Sequence, residues 1–164
     1  IIILLYIVMA SQFESFMSPF VIMFSIPFAF VGVFMGLWVT GTPLGTMGMI
    51  GILILMGIVV KNGIVLIDYT ILMRERGKSV AEASVIAAKS RLRPILMTTL
   101  TTVLGMIPMA IGQGEGSEMW RSLGMVVAWG LSISTLVTLV IIPTVYASLA
   151  SMQERRAARK LASK

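Results

Sequence analysis

Lys61 is the residue whose chemical type is least expected where it lies. It stands inside the apolar run 47–69, in which no other charge precedes Asp68. Holding an ammonium group at bilayer depth costs on the order of 3 to 10 kcal/mol. Such groups usually face a protein interior and belong to an ion or substrate pathway. Lys61 is therefore predicted to be functional, and the competing interpretation is a lysine that snorkels to the membrane surface.

A positive charge at this depth needs an acidic partner. Asp68 lies seven residues later on nearly the same helical face, but about 10 Å away along the axis, which a lysine stem does not comfortably bridge. It also lies close to Arg74, near the end of the apolar run, where water can reach it. Because the other apolar runs contain no acid, we expect the partner carboxylate outside this chain or in another subunit. Asp68 remains a secondary candidate.

A second polar feature consists of three threonines at spacing i, i+3 and i+4. Thr98, Thr101 and Thr102 share one helical face, and Arg91 lies seven residues before Thr98 on the same line. Hydroxyls in this arrangement can relay protons or hold ordered water. Alternatively, each bonds the carbonyl of its own helix four residues earlier, or joins two helices. The structural alternative is favoured for Thr101 and Thr102, and both interpretations stay open for Thr98.

The elements that carry these residues belong to a membrane protein. The chain has 164 residues, of which 57% are hydrophobic and 12% charged, whereas soluble domains carry about 25% charged residues. It begins within an apolar run without an initiator methionine, so we expect the C-terminal piece of a longer protein. Cysteine and histidine are absent, which excludes disulfides and removes the commonest zinc and copper ligands.

The apolar runs predict an all-α transmembrane bundle. A helix that crosses the hydrocarbon core needs about 20 apolar residues. The predicted full spans are residues 19–40, 46–73, 94–112 and 123–149, and residues 1–10 are the end of a further span. Ser79 and Glu82 form a capping-box pattern, which predicts a short amphipathic surface helix at about 80–89. Residues 151–164 form a basic tail.

Prolines and glycines should shape these spans. Pro27, Pro108 and Pro143 are expected to kink their helices. The glycines of the 46–73 span are expected to permit close helix approach; they are Gly48, Gly51, Gly57 and Gly63. Gly57, one turn before Lys61, could also leave room for the lysine side chain.

Eleven of the 13 basic residues are predicted to lie at one end of the bundle. They are Arg74, Arg76, Lys78, Lys89, Arg91, Arg93, Arg155, Arg156, Arg159, Lys160 and Lys164. The positive-inside rule makes this end, and the C-terminus, cytoplasmic. The opposite loops, 41–45 and 112–121, carry Glu115 and Glu118. Membrane anchoring explains the basic runs better than nucleic-acid binding does.

Four stretches resemble the last five transmembrane segments of a resistance-nodulation-division (RND) efflux transporter of the hydrophobe/amphiphile branch. They are residues 10–32 (ASQFESFMSPFVIMFSIPFAFVG), 57–69 (GIVVKNGIVLIDY), 91–110 (RLRPILMTTLTTVLGMIPMA) and 141–149 (IIPTVYASL). The resemblance implies half of a twelve-span protein with an internal repeat. The missing half would carry an aspartate pair that contacts Lys61, with Asn62 beside it. Arg91 and Thr98 would complete a proton relay.

The resemblance also implies an activity and partners. The activity would be proton-driven antiport of hydrophobic or amphiphilic compounds, with the proton as coupling ion and no cofactor. The expected assembly is a homotrimer in the bacterial inner membrane, with a periplasmic adaptor and an outer-membrane channel in Gram-negative cells. Related transporters of lipid, metal or protein, and a non-transporting membrane assembly subunit, remain alternatives. An intramembrane enzyme is disfavoured because no nucleophile–base pair is present.

Overall fold

The computed structural model describes residues 1–162, and Lys164 of the predicted basic tail lies outside them. Six helices follow one another along the chain. They are α1 (Ile2–Phe13), α2 (Met17–Met23), α3 (Ser25–Thr40), α4 (Thr46–Glu75), α5 (Val80–Ile111) and α6 (Ser117–Ala162). No strand occurs within the described residues. The predicted all-α class is confirmed.

Four stretches are long and apolar enough to cross a membrane. They are Met17–Thr40, Thr46–Glu75, Val80–Ile111 and Ser117–Leu161. The 12 residues of α1 span only about 18 Å, less than a hydrocarbon core of about 30 Å. The number of long apolar stretches equals the number of predicted full spans, although their bounds differ.

The first full span is interrupted at Phe24, between α2 and α3. Phe24 keeps helical backbone angles (φ −62°, ψ −19°), so the interruption is mild. Pro27 causes it, because its ring would clash with the carbonyl of Met23 in a regular helix. Pro27 itself lies in the first turn of α3, where a missing N–H costs no intrahelical bond. The interruption thus lies three residues before Pro27.

The prediction of a separate surface helix at 80–89, followed by a span from residue 94, is wrong. Residues Val80–Ile111 form one helix that passes through Pro94 and Pro108. The capping box is confirmed: Ser79 Oγ accepts from the Glu82 N–H at 3.3 Å, and Glu82 Oε2 accepts from the Ser79 N–H at 3.4 Å.

Burial explains why the N-terminal part of α5 is packed into the bundle. Val80, Ala83 and Ala87 are buried, and Val80 and Ala87 belong to a core cluster shared with α2, α4 and α6. A helix of about ten residues is marginal in isolation. Continuation into the span keeps its backbone bonded, and tertiary packing stabilises the joined helix.

The long helix α6 is the centre of the bundle and packs against α3, α4 and α5. Gly130 permits this close approach. A Cβ placed there would lie 2.8 Å from Val33 Cγ2 of α3 and would also collide with Leu55 of α4. Glycine is thus the residue that lets three helices meet at this level.

Two contacts with α6, one from α4 and one from the residue that precedes α4, distinguish the ends of the bundle. At one end Arg74 Nη2 lies 2.7 Å from Glu154 Oε1. This end carries the basic residues, and we call it the basic end. At the other end Ser122 Oγ accepts from the Gly45 N–H at 3.3 Å.

The bounds of α6 change two predicted segments. Because Ser117 already begins α6, the predicted loop 112–121 is shortened to 112–116. The basic tail continues α6 up to Ala162.

Candidate functional site

Lys61 lies in the middle of an exposed stripe on α4. The exposed residues of this stripe lie three, four or seven positions apart, which is the spacing of one helical face. They are Ile50, Ile54, Gly57, Lys61, Asp68, Leu72 and Glu75. We call this surface the open face of α4. It points away from the helices that bury the rest of α4.

Within residues 1–162, Lys61 forms no ion pair with any carboxylate. Asp68 lies on the same open face and is also exposed, yet it does not neutralise the ammonium group. This outcome agrees with the axial separation of about 10 Å that seven residues impose. The location of the true partner stays a prediction.

Asn62 follows Lys61 in the sequence but points into the bundle. Its exposed fraction is 9%, because successive helical residues are about 100° apart around the axis. Next to it, a Cβ at Gly63 would lie 2.8 Å from Ile22 Cγ2 and 3.1 Å from Ile142 Cδ1. The side of α4 behind Lys61 is thus tightly packed against α2 and α6, which fixes the rotation of the helix.

Gly57 has open space where a side chain would be. No atom lies within 4 Å of a Cβ built at this residue. Close approach is confirmed for Gly48, Gly51 and Gly63 but is wrong for Gly57, because Gly57 lies on the open face. The alternative expectation, that Gly57 leaves room beside Lys61, agrees with the structure.

Arg91 joins α5 to α4 through an aromatic ring. Its guanidinium carbon lies 4.7 Å from the centroid of the Tyr69 ring, a cation–π contact that is worth on the order of 1 kcal/mol. The Nε atom of Arg91 is buried and has no hydrogen-bond partner within the described residues. Buried donors in folded proteins are nearly always paired, so this N–H marks a place where water or another group belongs.

The three threonines of the predicted polar stripe bond their own helix. The hydroxyl of Thr98 donates to the Pro94 carbonyl at 3.0 Å, that of Thr101 to Met97 at 2.8 Å, and that of Thr102 to Thr98 at 2.9 Å. For all three residues, the structure therefore shows the alternative in which the hydroxyl bonds the carbonyl four residues earlier in its own helix. Thr98 and Thr101 are nevertheless exposed, so their hydroxyls stay accessible to a further partner.

The sequence reasoning missed a buried polar contact on the other side of α5. Thr99 and Thr135 share a hydrogen bond of 3.1 Å between their Oγ1 atoms, which joins α5 to α6. Thr135 belongs to a run of buried hydroxyl residues, and Thr138 Oγ1 in that run has no partner within the described residues. The clustering of Ser134, Thr135 and Thr138 inside an apolar helix was the available signal.

The described residues place the polar candidates on two neighbouring helices, α4 and α5. Lys61 supplies a positive charge on the open face, Thr98 and Thr101 supply exposed hydroxyls on the neighbouring helix, and Arg91 reaches across to Tyr69. Within residues 1–162, no group of three or more histidine, cysteine, aspartate or glutamate residues is arranged to hold a metal ion. The arrangement offers one cation and two accessible hydroxyls, and within these residues no acid pairs with the cation.

Comparison with known proteins identifies the family of this chain. Residues 1–150 match the model of the AcrB/AcrD/AcrF family. The chain belongs to this family. The resemblance to RND transporters is thereby confirmed. The chain is a multi-pass inner-membrane protein, and its family is one of transporters rather than of classical enzymes.

Several relatives align with nearly the whole length of this chain. It is 44% identical over 154 residues to the swarming motility protein SwrC of Bacillus subtilis, which is 93% of this chain and 15% of SwrC. It is 38% identical over 151 residues to the multidrug resistance protein MdtC of Erwinia tasmaniensis, and 37% over 155 residues to MdtC of Proteus mirabilis. The chain spans about 15% of the length of these relatives.

Solved structures of a heavy metal efflux pump share the fold. One crystal form superimposes on 92% of this chain with a TM-score of 0.82 and 32% sequence identity. A second form covers 78% with a TM-score of 0.72 and 36% identity. The match includes only 13–14% of the pump chain, so it concerns the transmembrane bundle alone.

Proposed function

We propose that this chain is the C-terminal transmembrane section of a proton-driven RND antiporter, in which Lys61 is the positive half of a proton switch. The observation that carries the proposal is an exposed lysine in the middle of the open face, without an acid to pair with among residues 1–162. A lysine facing lipid at this depth costs several kcal/mol. A second helical half with acidic side chains at this level removes that cost.

The proposed mechanism is a change in charge pairing. When the acids of the other half are ionised, they hold Lys61 by an attraction of about 4 kcal/mol at 4 Å and an effective dielectric constant near 20. Arrival of a proton neutralises an acid and weakens this attraction. The ammonium group then reorients into the space beside Gly57, and α4 shifts against the other half. Rigid-body movement carries the change to a distant substrate site.

The other site residues have distinct proposed roles. Arg91 and Thr98 extend the relay toward the basic end, where the unpaired Nε of Arg91 and the exposed Thr98 hydroxyl can bind water. Asn62 is buried and acts as a positioning residue that orients α4. Asp68, Thr101 and Thr102 are secondary: Asp68 lies on the open face, whereas the two hydroxyls already have intrahelical partners.

The proposed membrane orientation rests on the distribution of positive charge, and the proposed partners rest on the family. The basic end faces the cytoplasm, according to the positive-inside rule. A homotrimer is proposed, with a periplasmic adaptor and an outer-membrane channel where an outer membrane exists. The missing transmembrane half supplies the acidic pair.

Hydrophobic and amphiphilic compounds are the proposed substrates. The two MdtC relatives, which are named for multidrug resistance, support this class. A heavy-metal substrate is the second candidate, because the similar solved structures are described as a heavy metal efflux pump. Drug-susceptibility and metal-susceptibility assays in a strain without its own pumps separate the two classes.

Replacement of Lys61 tests the proton switch. Lys61→Met in the full-length transporter should abolish efflux, because the methionine side chain has a similar length but no charge. Membrane insertion should persist, since the position is exposed within this bundle. Lys78→Met is the matched control: it removes the same charge outside the spans and should leave transport at the wild-type level. The measurement is efflux of a fluorescent amphiphile in vesicles with an imposed proton gradient, and normal efflux by Lys61→Met contradicts the proposal.

A further inference from the structure

A groove at the basic end separates the corner between α1 and α2 from the outer side of α6. Its volume is about 390 Å³, within the range of ligand pockets. Phe16 and Phe20 lie on one wall. The other wall contains Leu149, Met152, Gln153 and Arg156 of α6. None of these residues has a role in the proton switch.

The α6 wall changes from apolar to basic along its length. Leu149, Met152, Gln153 and Arg156 follow the i, i+3, i+4, i+7 spacing of one helical face, over about 10 Å. The sequence of groups is aliphatic, then amide, then guanidinium. A phospholipid has the same profile near a membrane surface, with its acyl chain below the ester groups and its phosphate above them.

The positive charge beside the groove is not compensated within the described residues. Arg155 and Arg159 lie next to Arg156 in an adjoining depression, and none of the three forms an ion pair. Glu154 is the only acidic side chain among residues 149–162. It forms an ion pair with Arg74 on the side that faces α4. The surface around the groove therefore attracts anions, and guanidinium groups suit phosphate oxygens geometrically.

The opposite wall is apolar and is held in place. Phe16 is 78% exposed and Phe20 is 56% exposed, so both rings need an apolar environment that water does not provide. The Tyr6 hydroxyl donates to the Phe16 carbonyl at 3.4 Å, which ties α1 to the corner. Two exposed rings opposite an arginine suit a ligand that is apolar at one end and anionic at the other.

We propose that this groove binds an anionic phospholipid, with the phosphate at Arg156 and an acyl chain against Phe20 and Leu149. Basic pockets between membrane helices have this ligand chemistry in general. The proposal concerns a specific site rather than the general lipid shell, because it requires both the negative headgroup and the acyl chain.

The test measures lipid binding to the full-length transporter by native mass spectrometry after delipidation in a neutral detergent. Phosphatidylglycerol should bind more tightly than phosphatidylcholine. Arg156→Gln should weaken phosphatidylglycerol binding about fivefold, as expected for one basic residue near an anionic headgroup, and leave phosphatidylcholine binding unchanged. Arg76→Gln is the matched control: it removes an exposed arginine of the same end outside the groove and should change neither lipid.

Two further variants separate the two parts of the site. Phe20→Ser should weaken both lipids, because the acyl chain contacts the ring whatever the headgroup. Met152→Glu, at an exposed position, should weaken phosphatidylglycerol alone by charge repulsion. The Lys61→Met transporter should keep wild-type lipid binding, so failure of the lipid site and failure of the proton switch are distinguishable.

Three results would overturn the lipid site. The first is equal phosphatidylglycerol affinity of Arg156→Gln and the wild type. The second is competition by glycerophosphoglycerol, the headgroup without acyl chains, as strong as that of the lipid, since this would indicate a soluble phosphate ester. The third is a photo-crosslinker at position 152 that labels a protein segment instead of phospholipid, because the occupant would then be another part of the assembly.

Discussion

The two sides of α4 differ in how far this chain completes them. On the inner side, Val59, Leu66 and Ile67 are buried in the two hydrophobic clusters that α4 shares with its neighbours. On the open face, Gly57 has no atom within 4 Å of a Cβ position, and Lys61 forms no ion pair among residues 1–162. Both sides belong to the same 30-residue helix, so regular helical backbone alone does not explain the difference.

The difference teaches which interactions are structural and which await a partner. The inner side is stabilised within the bundle by close helix approach and dispersion contacts, which require nothing else. The open face of α4 carries the costly charge, and the accessible hydroxyls of Thr98 and Thr101 lie on the neighbouring helix α5. Variants should therefore separate cleanly: changes on the inner side should lower stability, whereas changes on the open face should lower transport.

The largest expected effect on stability comes from Gly130 of α6, which packs against the inner side of α4, compared with Gly57 on the open face. Gly130→Val forces a side chain against Leu55 and Val33 and should destabilise the bundle by about 3 kcal/mol, the upper part of the range for overpacking. Gly57→Val enters open space and should change stability by less than about 0.5 kcal/mol, while it reduces transport by filling the space beside Lys61. Thermal unfolding in detergent and vesicle efflux measure the two quantities, and a Gly57→Val protein that loses stability instead would break the comparison.

Adjacent threonines on α5 provide a smaller and sharper contrast. Thr99→Val leaves the buried Thr135 hydroxyl without its α5 partner and should cost about 1 kcal/mol of stability, with transport per folded molecule retained. Thr98→Val should leave stability nearly unchanged because Thr98 is exposed. It should lower efflux at least tenfold if the hydroxyl relays protons, given contributions of roughly 100-fold and more for such groups. Wild-type efflux by Thr98→Val would assign Thr98 to its intrahelical bond alone.

The smallest effect should come from the ion pair at the basic end, outside both sides of the comparison. The side chains of Arg74 and Glu154 are 35% and 58% exposed, and exposed pairs contribute between about 0 and 1 kcal/mol. Glu154→Gln should therefore lower the unfolding free energy by less than about 1 kcal/mol and leave efflux unchanged. A larger loss, measured by the same thermal unfolding assay, would show that this end contributes to stability as strongly as the inner side does.

Local sequence patterns predicted much of the fold because their physical causes are local. The length of an apolar run decides whether a helix crosses the bilayer, and the Ser79–Glu82 pair caps a helix through contacts between residues three apart. The capping box predicted where a helix begins, at residue 80, but the end placed at 89 was wrong because the helix continues through Pro94. A proline removes one backbone bond, and the burial of Val80 and Ala87 against other helices favours the continuous helix.

The candidate site was predictable in composition but not in arrangement. Lys61 could be selected from the sequence because it is a charged residue within an apolar run. Arg91 and Thr98 could be selected from their helical spacing and from the family resemblance. The contact of Arg91 with Tyr69 and the bond between Thr99 and Thr135 join different helices. Neither could be derived from periodicity along one helix, because the rotation of each helix against its neighbours is set by packing.

By itself, the sequence determined the number of spans, the end at which positive charge gathers and the presence of an ionisable group at membrane depth. Each follows from residue type and from distance along the chain. Only the tertiary structure decided that Asn62 faces inward while Lys61 faces outward, that Gly57 is open while Gly63 is enclosed, and that α5 continues through Pro94. The physical reason is that burial depends on which helix lies opposite a residue, and that helix is distant in the chain.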